Sequence, residues 1–402
     1  MHQPPQTETG AVTAAGQARP SLVRVFLAFL RLGATAFGGP AMVAYIGDLA
    51  VAKRQWLSRE SFQSGVALCQ SMPGATAMQM AAYVGLRARG PLGALAAFVG
   101  FGSPAFILMV VLAAVYRETR DLRPVLSAFR GLHLVVVALI ANAALNFGRS
   151  SIKNWRDALL AAGAAAALIL HVNPILVIVA AAGLGWLLYR GVSMPEEKQQ
   201  GAPAERAQRT LGCAALIVAG VGAGLAGLFL VDRRLFGLAL LMLKIDLFAF
   251  GGGFASVPLM LHEVVEARQW LDSRTFMDGI ALGQVTPGPI VITATFVGYL
   301  VAGPGGAVVG TLGIFTPSFL MVLATVPYFD RLRRSVLFRR VLRGVLTSFV
   351  GLLTAVALNF AVTVSWSIPA VFLAAAAFAA RCLKVDIVWV VLGGGIISVL
   401  AY

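Results

Sequence analysis

The sequence predicts an all-α polytopic membrane protein made of two homologous helical repeats, and three observations predict it. Apolar runs long enough to span a bilayer follow one another along most of the chain. Of its 402 residues, 59% are hydrophobic and only 12% charged, against the roughly 25% charged residues of a soluble domain. The same short motifs then recur once, at a nearly constant separation.

Residues 1–20 are polar and rich in Gln, Thr and Ala, without the charged start and short apolar core of a cleaved signal, and read as a disordered tail. Residues 21–189 form the first repeat, with apolar runs at 22–51, 61–86, 91–116, 125–147, 158–172 and 174–189. Residues 190–210, carrying Pro195, Glu196, Glu197, Lys198, Pro203 and Glu205, are the clear break in composition and read as an interdomain loop. Residues 211–402 form the second repeat. An extra leading span at 211–231 precedes runs at 236–261, 276–300, 305–328, 341–362, 368–380 and 387–402. With about 20 helical residues needed per crossing, ten to thirteen membrane segments fit, depending on which are broken or re-entrant.

The repeat is visible residue by residue. Phe37-Gly38-Gly39-Pro40 matches Phe250-Gly251-Gly252-Gly253, and Gln55-Trp56-Leu57 matches Gln269-Trp270-Leu271. Gln70 with Pro73-Gly74 matches Gln284 with Pro287-Gly288, Ser103-Pro104 matches Thr316-Pro317, and Arg130-Gly131 matches Arg343-Gly344. Ala144-Leu145-Asn146-Phe147 matches Ala357-Leu358-Asn359-Phe360. One register held through separate motifs indicates duplication of a single unit, as in transporters whose repeats surround a central site. Lys53, Arg54 and Arg59 make one loop basic where its counterpart carries Glu263, Glu266, Asp272 and Asp278 against Arg268 and Arg274, an alternation that favours an inverted repeat.

The net charge of +15 sits mainly in short loops, so the positive-inside rule accounts for it without nucleic acid, and lipid is the expected neighbour. Cys69, Cys213 and Cys382 are isolated, and His2, His133, His171 and His262 are too dispersed for a metal cluster. No metal or cofactor is expected. Paired carboxylates, a His cluster or an activated Ser or Cys are missing from the spans, which argues against an embedded enzyme.

Chemistry is expected where helices are interrupted. Gly38, Gly39 and Pro40, and Gly251, Gly252 and Gly253, break the first apolar run of each repeat. Freed backbone groups at membrane depth need protein or a wet cavity to satisfy them, though close helix packing through small residues is the plainer reading. Gln70, Pro73 and Gly74, with Gln284, Thr286, Pro287 and Gly288, sit midway through later spans. A half-helix starting there turns unpaired N–H groups toward an anion, and the glutamine amides add neutral donors. The plainer alternative is a proline kink with glutamine capping backbone. Arg31 matches Lys244, and charge in a span costs about 2.5 to 3.5 kcal/mol, so the pair reads either as an anion path or as structural, with Lys244 paired to Asp246.

At these motifs the chain resembles the chromate ion transporter family in its long, two-domain form. Phe37-Gly38-Gly39-Pro40, Trp56, Gln70, Pro73-Gly74, Trp270-Leu271, Gln284, Pro287-Gly288-Pro289 and the run from Ala294 to Tyr299 carry the resemblance. Two positions depart from it. Family members often have a His shortly after the first FGGP, where this chain has Ala41-Met42-Val43, and a Pro where it has Ala75. The resemblance implies a permease of a bacterial or archaeal cytoplasmic (inner) membrane, linked to chromate efflux, with sulfate as an analogue.

The expected activity is secondary transport of a small inorganic oxyanion, and a passive anion channel or a permease for another anion is the rival. No GxxxxGK[ST] run is present for nucleotide-driven pumping. Import would require a coupled proton or sodium ion, with Asp246 the deep carboxylate to serve it. A homo-oligomer is compatible with all of this.

Overall fold

A computed structural model of the chain describes residues 20–37, 40–190, 204–328 and 335–401. Among these residues the fold is helical, with a single isolated backbone bridge in place of any strand. The first repeat runs α1 (Leu22–Thr35), α2 (Pro40–Gly47) continuing as a π-helical stretch Asp48–Lys53, α3 (Arg59–Ser71), α4 (Thr76–Arg89), α5 (Pro91–Thr119), α6 (Arg123–Ser151), α7 (Trp155–Ile169) and α8 (Pro174–Leu188). Next comes α9 (Ala204–Val231), which has no counterpart among the described residues. The second repeat runs α10 (Arg233–Phe248), α11 (Ser256–Met260) continuing as a π-helical stretch Leu261–Ala267, α12 (Ser273–Val285), α13 (Thr293–Thr325), α14 (Val336–Thr363), α15 (Ile368–Cys382) and α16 (Ile387–Ala401).

Duplication extends to the backbone. Positive φ values pair off as Gln55 (50°) with Gln269 (52°), Gly74 (107°) with Gly288 (121°), and His171 (59°) with Lys384 (63°). Helix α13 is interrupted at Ala302 and Gly303, the position where Gly90 separates α4 from α5.

Among the described residues, five segments are long and apolar enough to cross a membrane: Pro91–Thr119, Arg123–Ser151, Thr210–Val231, Ile290–Thr325 and Val336–Thr363. The runs 22–51 and 61–86, read from sequence as spans, are each divided. Helix α1 has 14 residues and α3 has 13, about 20 Å at 1.5 Å per residue and short of a ~30 Å hydrocarbon layer. The tail 1–19 and residues 191–203 of the interdomain loop lie outside the described residues, and the rest of that loop, from Ala204, already belongs to α9. Helix α5 turns Leu92, Leu95, Val99, Ile107, Val111 and Val115 outward, and the apolar stretch Thr210–Val231 of α9 is almost wholly unburied. Apolar surface of that extent has lipid as its solvent, which makes the chain an integral membrane protein.

The repeats exchange their last two helices. Gly131 of α6 lies against Gly394 and Ser398 of α16, and its counterpart Gly344 of α14 lies against Ala181 and Gly185 of α8. A side chain at either glycine would overlap the neighbouring helix, so backbones approach there as only small residues allow. Buried Asp157 of α7 fixes the same exchange. It accepts from Arg343 of α14 at 2.8 Å and from the Tyr189 hydroxyl, while the Arg343 guanidinium stacks 4.5 Å from the Tyr189 ring centre.

Candidate functional site

Two helix breaks, one from each repeat, meet beside a cavity of about 640 Å³. The first lies between α3 and α4, over Met72 to Ala75; the second lies between α12 and the 3-10 turn Ile290–Ile292 that leads into α13. Each is held by the other repeat. Gly74 donates its N–H to the carbonyl of Ala249 at 2.9 Å, and Gly288 donates to Ala36 at 3.0 Å. Ala249 and Ala36 directly precede the two phenylalanine-glycine motifs, and Pro73 bridges to Phe250. This reciprocity brings four breaks of the chain together.

The half-helices beyond the breaks begin without side-chain caps. Ala75 precedes α4 and Pro289 precedes the second turn, and neither accepts an N–H with its side chain. Elsewhere Ser58, Asn154, Asp272 and Ser335 cap their helices with side-chain oxygens. First-turn amides have no partner within a helix, so an alanine or proline at the start leaves them to whatever occupies the space ahead. Ala75, Thr76, Ala77, Pro289 and Ile290 all line the cavity. Gln284, 6% exposed, lines it too, and its amide Nε2 has no hydrogen-bond partner in the structure. Gln70 lies exposed on the wall contributed by the first repeat. The lining carries no charged side chain among the described residues.

Behind the first break, Ser318 accepts from the Ala75 N–H at 3.0 Å and donates its hydroxyl to Asp246 Oδ2 at 2.8 Å. The Ser318 N–H donates to the same oxygen. Gln79 donates to the Pro73 carbonyl at 2.5 Å. Asp246 is fully buried, and its second oxygen has no partner in the structure. A positive φ of 107° and a Cβ position that would overlap Ser318 Oγ restrict residue 74 to glycine.

The sequence candidates divide into four groups. Gln70, Gly251, Gly252, Gly253, Gln284, Thr286 and Gly288 line the cavity; Pro73, Gly74 and buried Pro287 shape the breaks behind it. Gly38 and Gly39 lie outside the described residues, and Pro40 opens α2, whose Met42, Val43 and Ala44 are lining residues. Arg31 and Lys244 do not line it. Arg31 is exposed on α1, and Lys244 reaches Glu263 at 2.5 Å, so the expected Lys244–Asp246 pair does not form. Residues two apart on a helix point to different sides: Asp246 goes inward and Lys244 outward.

Thr76, Ile290, Phe147, Ser150 and Leu346 also line the cavity; Phe147 belongs to the repeated Ala144–Phe147 motif, which carried no functional reading, and no motif contains the other four. Thr76 and Ile290 were within reach of sequence reasoning, because each follows its Pro-Gly break by two residues. A second cavity, about 590 Å³, has His133 and Asp278 in its wall at 2.6 Å, a pair 145 residues apart that no local motif announces.

The sequence pattern of the chromate transporter family matches twice, over residues 23–186 and 236–399, one match per helical repeat. The chain is 44% identical over 373 residues to an uncharacterized transporter of Methanocaldococcus jannaschii, covering 93% of this chain and 92% of that protein. It is 30% identical over 417 residues to the chromate transport protein of Pseudomonas aeruginosa, covering 99% and 97%. The figures for the chromate transport protein of Cupriavidus metallidurans are 30% over 414 residues, with 100% and 98% covered. No solved structure matches the chain. Two matched repeats and full-length similarity to named chromate transport proteins place the chain in the chromate transporter family, in its long two-repeat form.

Proposed function

We propose that the chain exports a small tetrahedral oxyanion across the cytoplasmic membrane as a secondary transporter, with chromate the first substrate to test and sulfate its analogue. The observation that carries this reading is the uncharged cavity where two uncapped half-helices and the free amide of Gln284 converge. Backbone N–H groups and a neutral amide bind an anion without the fully desolvated ion pair that would hold it too long. Its volume, about 640 Å³, accommodates an oxyanion with part of its hydration.

Charge orients the molecule. Arg149 and Lys153 at the end of α6 and Arg339 and Arg340 at the start of α14 gather near the Ser150 and Leu346 wall of this cavity. The opposite end mixes Arg120, Arg130 and Arg274 with Asp121 and Asp272. The basic end is cytoplasmic by the positive-inside rule, so the cavity receives its anion from the cytoplasm. An exported dianion gains about 4.6 kcal/mol per 100 mV of inside-negative potential, twice the single-charge value, and no nucleotide is required. Asp246, considered from sequence as a coupling carboxylate, holds the first break through Ser318 in this scheme.

The test is flux in liposomes containing the purified protein alone, under an imposed potential, with chromate, sulfate and molybdate in parallel. Saturable, selective flux supports a carrier, flux that never saturates supports a channel, and absent flux for all three refutes the proposal.

A further inference from the structure

The second cavity shares part of its wall with the first through the repeat. Ser150 at the end of α6 and Leu346 in the first half of α14 line the first; their counterparts, Thr363 at the end of α14 and His133 in the first half of α6, line the second. The equivalent helices therefore run antiparallel, as an inverted repeat requires, and the cavities lie toward opposite faces. Their walls differ in chemistry. Where the first has Leu346, the second has His133. Asp278, aligned with Ser64 of the first repeat, faces that histidine.

Asp278 has both oxygens engaged. His133 Nε2 lies 2.6 Å from Oδ1, and the Tyr116 hydroxyl donates to Oδ2 at 2.7 Å. Both members of the pair are buried, at 9% and 7% exposure, yet both line the second cavity, the outer vestibule of this scheme. Asp278 sits on α12, the helix that carries Gln284 and ends at the second break, so one helix links the outer vestibule to the anion site. The neighbouring charged groups are Arg120 and Asp121 from the end of α5, Arg130 from α6, and Asp272 and Arg274 from the start of α12. Those charges come to three positive and two negative. Helix α16, against Gly131, contains no ionisable residue, and the end of α14 brings only Thr363.

Resting on the transport reading above, we infer that the His133–Asp278 pair is a proton site that gates anion exit through the outer vestibule. Unprotonated, the pair is a neutral imidazole beside a carboxylate and carries one negative charge, which repels a departing oxyanion. One proton from the external solution binds the imidazole lone pair. The pair becomes neutral, the repulsion disappears, and the charge-assisted bond keeps α12 in place. No bond other than N–H is made or broken.

The experiment is chromate export from liposomes at fixed potential, with external pH stepped from about 8 to about 5.5. Chromate itself takes up a proton in this interval, so variants are compared with the wild type at each pH. The rate ratio between the two ends should exceed, by several-fold, that of His133→Asn, which keeps a side-chain amide beside Asp278 and removes the group that takes the proton. His133→Leu with Asp278→Ser, which installs the other repeat's residues, should show the same flattened ratio. A wild-type ratio equal to that of either transporting variant overturns the proton site while leaving the transport reading intact. Absence of wild-type flux at every pH refutes both.

Discussion

Gly74 and Ala249 share a backbone hydrogen bond of 2.9 Å that stitches the helix break of one repeat to the residue before the glycine run of the other. The mirror bond, Gly288 to Ala36, closes the pair at 3.0 Å. Each break is therefore shaped by a distant segment of the other repeat, and the cavity exists only when both repeats are assembled.

Gly74→Ala should abolish oxyanion flux. The substituted residue meets about 1–2 kcal/mol of left-handed strain, and its methyl displaces Ser318 from Ala75 and Asp246. Gly288→Ala, whose Cβ would sit 2.9 Å from the Ala105 methyl, should be milder. Initial rates in proteoliposomes at matched protein content check the order.

Gln284→Leu should lower flux more than Gln70→Leu. The Gln284 amide is buried with an unpartnered donor, whereas Gln70 is exposed and water replaces it readily. One hydrogen bond to a charged ligand is worth about 1.5–3 kcal/mol, or roughly 10- to 150-fold in affinity. Anion concentration at half-maximal flux measures this, with membrane insertion followed by immunoblot.

Asp157→Ala should cost about 3–5 kcal/mol of stability, because it leaves the Arg343 guanidinium without its carboxylate and the Tyr189 hydroxyl without its acceptor. Adding Arg343→Gln should recover part of that loss, since the orphaned charge is then gone. Melting temperatures in detergent decide it. Equal melting of the single and double variants would show that the exchanged α7–α8 hairpin is held by packing alone.

Lys244→Gln should leave flux within about twofold of wild type. Its partner Glu263 keeps Arg268 at 3.7 Å, and the lysine does not line the cavity. Arg31→Gln should behave alike, as Arg31 is exposed on α1. Side-by-side proteoliposome rates test both.

The repeat was legible because helix-breaking residues are chemically irreplaceable at their positions: a left-handed Gly74 or Gly288 leaves the same mark twice in the sequence. Interruption by Pro-Gly likewise announced half-helices. The exchange of the α7–α8 and α15–α16 hairpins was not legible, since an apolar helix with small residues fits many partners and Gly185 or Gly344 names none. Arg31 and Lys244 have the look of a cationic path because charge in a span usually serves a function. Instead, α1 is too short to hold Arg31 in a full crossing, and Lys244 is spoken for by Glu263, 19 residues further on. The first was within reach of the Gly38-Gly39-Pro40 break that follows, and the second cannot be read from the neighbouring sequence. Nothing beside His133 in the chain marks it either, because its partner is a carboxylate on the other repeat.

Calorimetric titration of purified protein with chromate tests the central claim most directly. Wild type and Arg31→Gln/Lys244→Gln should each bind one anion per chain, and Gln70→Leu/Gln284→Leu should bind none. Binding that survives loss of both glutamines, and disappears with the two cations, would contradict an uncharged site built from helix breaks.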